Sequence, residues 1–165
     1  DSAAPAITGI DGPGVREARD VLIGKAKMES PAVVLGAGYV GMETADFLMA
    51  QGASVTVLDM SQSPPVPPYT AHGYWLHRRL RKGGRLLLGA KVTSIDGGAV
   101  RYEMEGKAYS EPAAMVVTAL GARSERALEE ACAASGVPCV VVGDAVEPRR
   151  LIEAVHEGAK AGREL

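Results

Sequence analysis

Residues 32–59, AVVLGAGYVGMETADFLMAQGASVTVLD, decide the reading of the whole chain. An apolar run, Ala32 to Leu35, meets Gly36-Ala37-Gly38-Tyr39-Val40-Gly41. An amphipathic helical stretch follows to about Gln51, Gly52 stops it, and a second apolar run, Val55 to Leu58, ends on Asp59. Strand, glycine turn, helix, strand and acidic residue, in that order, make up the full context of a dinucleotide-binding fingerprint, whereas a bare GxGxxG carries little weight. Gly36 then permits the tight turn off the strand, Gly38 lets a pyrophosphate approach the backbone, and Gly41 lets the helix lie close on the sheet. Unpaired N–H groups at the helix start, with the positive end of its dipole, attract the phosphate charge. Asp59 stands eighteen residues beyond Gly41. A carboxylate there accepts from both hydroxyls of an adenosine ribose and repels a 2′-phosphate, which favours NAD(H) over NADP(H). The plainer alternative is a βαβ unit whose glycines serve packing alone.

Outward from that stretch, 165 residues suffice for one domain, or one domain with pieces of another. Hydrophobic residues make up 47% and charged residues 23%, as in ordinary soluble globular chains, and the expected location is cytoplasmic. A net charge of −2 provides no electrostatic basis for binding nucleic acid or an anionic membrane. No apolar run approaches a membrane span, and nothing at the start resembles a signal peptide. The first residue is Asp1, not methionine, which reads as a processed or excised piece. Cys132 and Cys139 form no CxxC pair and have no histidine cluster beside them, so neither a redox disulfide nor a metal site is expected. They read as small buried hydrophobes.

Ahead of the fingerprint, DSAAPAITGIDGPG reads as an extended arm, and Val15, Ala18 and Leu22 space as a short helix to about Lys25. Beyond Asp59, SQSPPVPPYT is a proline loop. Tyr69, Gly73, Leu76 and Leu80 mark a helix ending at Gly83-Gly84, with Arg78, Arg79, Arg81 and Lys82 on its exposed side. His72 and His77 have no acidic or thiol neighbour in sequence and read as surface residues. Arg85 to Leu88 is a third nucleotide-sheet strand. Lys91–Asp96, Ala99–Glu103 and Lys107–Ser110, joined by Asp96-Gly97-Gly98 and Glu105-Gly106, form an antiparallel meander. Met115 to Leu120 is a buried parallel strand ending at Gly121. Ser124 is expected to cap a helix to about Ala134 with Leu128 on its core side. Val140-Val141-Val142 reads as one more buried strand, ahead of Gly143-Asp144 and a last helix over 148–165. Leu151, Val155, Ala159 and Gly162 line one face of that helix and shrink along it. The fold class is therefore α/β: a three-layer, Rossmann-like nucleotide-binding domain with a parallel sheet plus a small antiparallel β-meander.

GAGYVGMETADFLMAQGASVTVLD, VVTALGAR and VVGDAVEPRRLIEAVHEGAKAGREL together resemble a known family. They are similar to the C-terminal half of two-flavin NADH:flavin oxidoreductases of the old-yellow-enzyme superfamily, such as bacterial 2,4-dienoyl-CoA reductase, enoate reductases and trimethylamine dehydrogenase. That half in turn resembles glutathione-reductase-like flavoproteins, where a nucleotide domain is inserted into an FAD domain. The resemblance implies that Gly36, Ala37, Gly38, Tyr39, Val40 and Gly41 hold the nicotinamide cofactor. It implies that Glu43 lies near the nicotinamide–flavin contact and that Tyr39 covers a flavin face. It also implies that Gly121 brings backbone close to the cofactors and that Gly143 and Asp144 meet the FAD ribityl chain.

The same resemblance implies a division: 1–30 as the tail of a first FAD-domain segment, 31–122 as the NAD(H) domain, and 123–165 as the returning FAD-domain segment. The flavin barrel with its FMN, the iron–sulfur cysteines and the FAD domain's own fingerprint are not in these residues. The partners implied are the dinucleotide, that barrel and FAD domain, and a second copy of the chain; the fragment alone is expected to be inactive. The reading that follows is an NADH-binding domain that presents nicotinamide to FAD for hydride transfer, with the reduced substrate read elsewhere. Two alternatives stay open: a non-catalytic ADP-binding module, as in trimethylamine-dehydrogenase-like relatives, and an S-adenosylmethionine methyltransferase, against which the meander and the Gly143-Asp144 segment argue.

Overall fold

Residues Ala32 to Leu35 carry no polar side chain, and a strand of that kind is stable only where both of its faces are covered. The computed structural model, which describes residues 6–164, provides that cover. In chain order the elements are β1 (Val15–Glu17), α1 (Ala18–Leu22), β2 (Ala32–Leu35), α2 (Tyr39–Ala50), β3 (Val55–Asp59), α3 (Ala71–Gly83), β4 (Gly84–Leu88), β5 (Lys91–Asp96), β6 (Ala99–Met104), β7 (Lys107–Pro112), β8 (Met115–Thr118), α4 (Ala127–Ala134), a single 3₁₀ turn (Gly143–Ala145) and α5 (Leu151–Glu164). Among the described residues they fall into two compact units, 6–120 and 121–164.

The larger unit has three layers. Its centre is an all-parallel sheet in the order β1-β8-β2-β3-β4. Side chains alternate across a strand, so Ala32 and Val34 point one way and Val33 and Leu35 the other. The first pair packs with Val55, Val57, Met115 and Val117 against Met42, Ala45 and Leu48 of α2, Leu76 and Leu80 of α3, and Val21 of α1. The second pair packs with Leu58 and Val116 against Val100 and Tyr102 of the meander. Helices on one face and a second sheet on the other explain why β2, β3 and β8 are mostly apolar.

The meander itself is the three-stranded antiparallel sheet β5-β6-β7. Both of its turns are two-residue loops with positive φ at both positions: +53° and +80° at Gly97-Gly98, and +52° and +72° at Glu105-Gly106. These are the backbone angles that match the twist of a hairpin. A polar strut crosses between the two sheets. The Glu111 carboxylate on β7 accepts from Arg85 Nη1 of β4 at 2.8 Å and from the buried Thr56 hydroxyl of β3 at 3.1 Å.

The α/β class, the parallel sheet and the meander are as the sequence implies; several local expectations are corrected. Val15–Glu17 is not the start of a helix but a strand pairing with β8, and the helix begins only at Ala18. Residues 1–5 of the predicted arm lie outside the described residues; within the rest, Thr8 bridges Ser94 and its carbonyl accepts the Ile95 N–H at 2.8 Å. Val140–Val142 is not a strand, and Val140 is exposed. An apolar run becomes a strand only where a ladder partner exists, and none pairs with it among the described residues. Ser124 caps nothing: its hydroxyl donates to Val146 O at 3.2 Å, and α4 starts at Ala127. Leu128 is exposed, not core. His77 is buried, with Nε2 donating to Val66 O at 2.8 Å. Cys139 is exposed and Cys132 half-buried, so the thiols are not core residues.

Candidate functional site: the glycine loop at the sheet's switch point

After β2 the chain moves outward through β3 and β4, then returns to place β8 on the opposite side of β2. The carboxyl ends of β2 and β8 therefore flank the point where strand order reverses, the place where open α/β sheets bind ligands. The loop Gly36-Ala37-Gly38 sits there. It is tied to the neighbouring strand by Gly36 N–H donating to Leu58 O at 2.8 Å, while Ala119 N–H donates to Leu35 O at 2.9 Å.

Two glycines of the Gly36–Gly41 stretch are sterically required. Gly36 has φ +101°, and a Cβ on it would stand 2.4 Å from Ala119 O. A Cβ on Gly41 would stand 1.9 Å from Gly36 O, so only glycine lets α2 start this close to the loop. Gly38 is different: a Cβ on it would meet nothing within 4 Å. Its freedom is not needed by the protein's own packing and leaves open space over the loop. The N–H groups of the first helical turn, Tyr39, Val40 and Gly41, have no acceptor one turn earlier in the helix. The donor set and the open approach at Gly38 fit a dinucleotide pyrophosphate.

Asp59 ends β3 beside this loop. Its Oδ2 accepts the Ala37 N–H at 2.7 Å and its Oδ1 accepts the Ser61 N–H at 2.8 Å. A carboxylate has about four acceptor positions, so two remain for hydroxyl donors. Ahead of the helix start, the Ala37 amide is thus already held by the acidic residue.

Tyr39 and Glu43 occupy successive turns of α2 and both meet His72 of α3. His72 Nε2 lies 2.8 Å from Glu43 Oε1, and its ring stacks on Tyr39 with centroids 5.9 Å apart and an interplanar angle of 14°. Sequence reasoning missed His72, because 29 positions separate it from Glu43 and only the α2–α3 packing joins them. It missed the Glu111 strut for the same reason.

Gly121, Gly143 and Asp144 belong to the second unit. Gly121 has φ +92°, a turn that favours glycine. In the 3₁₀ turn the Gly143 N–H donates to Glu157 Oε2 at 2.7 Å, Arg149 pairs with Glu157, and the Arg149 N–H donates to Asp144 Oδ1 at 3.3 Å. The Gly143 amide, and after it the Arg149 guanidinium, hold the Glu157 carboxyl below its ordinary range. On α5, Leu151 and Val155 are exposed, so the tapering face is without cover from the described residues. Among the described residues no acidic, thiol or imidazole groups converge on a metal position, and no helix is long and apolar enough to cross a membrane.

A family model for pyridine nucleotide-disulphide oxidoreductases matches residues 3–147. The chain belongs to that family. Among curated relatives, a bilirubin reductase of Mediterraneibacter gnavus is 35% identical over 98% of the chain and 25% of its own length. An NADH oxidase of Thermoanaerobacter brockii is 30% identical over 87% of the chain and 23% of its own length. The structure of a 2-naphthoyl-CoA reductase in complex with 2-naphthoyl-CoA superposes with a TM-score of 0.88 at 28% identity, covering 100% of the chain and 26% of that protein. A 6-hydroxypseudooxynicotine amine oxidase from Pseudomonas geniculata, at 24% identity and TM-score 0.86 over 98% of the chain and 26% of its own, shares the fold. The chain spans about a quarter of the length of these relatives. The resemblance to flavin oxidoreductases drawn from the fingerprint and the VGDAVEPRR segment is therefore borne out at the level of the family.

Proposed function

We propose that the chain is the NADH-binding part of a flavin-dependent oxidoreductase, with 31–122 as the nucleotide domain and the flanks, 1–30 and 123–165, as parts of an FAD domain. One observation carries this reading: the Gly36–Gly41 loop stands at the switch point with Asp59 at the adjoining strand end. NADH supplies a hydride to FAD when both are bound. The chain's own residues position it. First-turn amides of α2 take the pyrophosphate, Gly38 allows close approach, and the free acceptor positions of Asp59 take the adenosine ribose hydroxyls. No acid, base or nucleophile is required from this domain, since orientation of the nicotinamide is the contribution asked of it.

Tyr39 and Glu43 stand at the nicotinamide end, with Gly121 beside the cofactors. Gly143 and Asp144 serve the FAD, on a turn braced by Glu157 and Arg149. FMN and an iron–sulfur cluster, if the whole protein carries them, belong to residues beyond this chain, as does the site that reads an unsaturated or similar substrate. The chain alone accordingly binds nucleotide without turnover.

Thermal stability of the chain titrated with NADH, NADPH, ADP and FAD tests this reading. Stabilisation by NADH that exceeds that by ADP and by NADPH is expected. Equal stabilisation by ADP, with no NADH oxidation by the longer protein, would instead indicate a nucleotide-binding module without redox turnover.

A further inference from the structure

We infer that His72 is a positioning residue of the dinucleotide site: it sets where the Tyr39 ring and the Glu43 carboxylate stand at the rim of the glycine loop. This rests on the proposed NADH site. Tyr39 and Glu43 are four residues apart and so share one face of α2. That face is turned to α3, where a single imidazole serves both, its edge nitrogen at the carboxylate and its flat face on the phenol ring. Both contacted residues are on the helix whose first turn faces the loop.

The base under His72 is rigid although the side chain itself is exposed. The Thr70 hydroxyl accepts the Gly73 N–H at 3.1 Å and donates to Pro67 O at 2.9 Å, which caps the first turn of α3. A Cβ on Gly73 would stand 2.1 Å from Pro67 O, so the helix start is pressed on the proline segment. His77 fastens the same segment one turn further on, through the carbonyl of the fully buried Val66. The proline-rich stretch and two core anchors thus hold the turn that carries His72. About two turns along α3 from His72, Arg79 pairs with Asp46 of α2 at 2.6 Å, a second contact between the same two helices.

NADH affinity of the chain, read from nicotinamide fluorescence, tests the inference with His72→Ala, His72→Gln and His72→Phe. His72→Ala removes both contacts and is expected to weaken NADH about two- to fivefold, the scale of exposed charge-assisted pairs. The melting temperature of the nucleotide-free chain should hardly move, since the side chain is exposed. His72→Gln keeps a hydrogen-bond donor for Glu43 and His72→Phe keeps a ring face for Tyr39, so each should restore part of the loss. Glu43→Gln added to His72→Ala should cost less than it does alone, because the two act as a unit. Wild-type affinity in His72→Ala, strict additivity with Glu43→Gln, or a loss matched by equal destabilisation of the empty chain overturns the role of His72 while leaving the NADH site standing. A wild-type chain that binds no NADH overturns both.

Discussion

Asp59 Oδ2 accepts the Ala37 N–H at 2.7 Å, joining the end of β3 to the middle of the glycine loop across 22 positions of sequence. The acidic residue of the fingerprint thus shapes the loop before any ribose reaches it. Asp59→Asn presents an amide N–H₂ to one of two backbone donors, and Asp59→Ala leaves both without this acceptor. Hydrogen bonds to a charged group contribute about 1.5–3 kcal/mol each when buried, less when partly exposed. Asp59→Ala is therefore expected to lower stability by about 1–2 kcal/mol in denaturant unfolding. It should also erase any preference for NADH over NADPH; a preserved preference would remove Asp59 from the ribose site.

Gly36 and Gly38 separate a structural role from a binding role. Gly36→Ala puts a methyl group 2.4 Å from Ala119 O at φ +101°, and the left-handed backbone alone costs about 1–3 kcal/mol. A fall of at least that size in unfolding free energy is expected. Gly38→Ala meets nothing within 4 Å and should unfold within about 0.5 kcal/mol of the wild type. Its methyl group occupies the approach to the backbone, so NADH stabilisation should be lost from a chain that is otherwise as stable as before.

Glu111 couples the meander to the nucleotide sheet. Glu111→Ala leaves the buried Thr56 hydroxyl without its acceptor, and an unsatisfied buried hydroxyl costs about 1–3 kcal/mol. Thr56→Val in the same background should recover part of the loss, since it removes the orphaned group. Denaturant midpoints of the single and double variants decide this.

Glu157 makes the 3₁₀ turn sensitive to acid. Its carboxyl lies below the ordinary range in the folded chain, first through the Gly143 amide and then through Arg149. A group whose folded value is depressed stabilises above its unfolded value, and that contribution fades as the pH falls through the folded one. Because the Glu157 side chain keeps contact with solvent, the effect should be local: the Gly143 amide proton should move upfield in NMR as pH drops from about 7 towards about 3. Glu157→Gln should show the acid-side position at neutral pH and no further titration.

Residues 32–59 were sufficient, as a sequence, to determine the βαβ unit, the glycine loop and the acidic strand end, because each rests on local requirements. Apolar runs need two-sided cover, a tight turn needs glycine, and a helix start offers amides. The meander was equally legible, since Asp96-Gly97-Gly98 and Glu105-Gly106 state their turn geometry in the residues themselves. Only tertiary structure decided whether a given apolar or polar side chain found a partner. Val15–Glu17 became a strand because β8 had an open edge beside it, whereas Val140–Val142 had no ladder to join. His72 found Glu43, His77 found Val66 and Glu111 found both Thr56 and Arg85 through helix and sheet packing over 11 to 55 positions. Pairings of that kind depend on where whole elements come to rest, which no local pattern of side chains specifies.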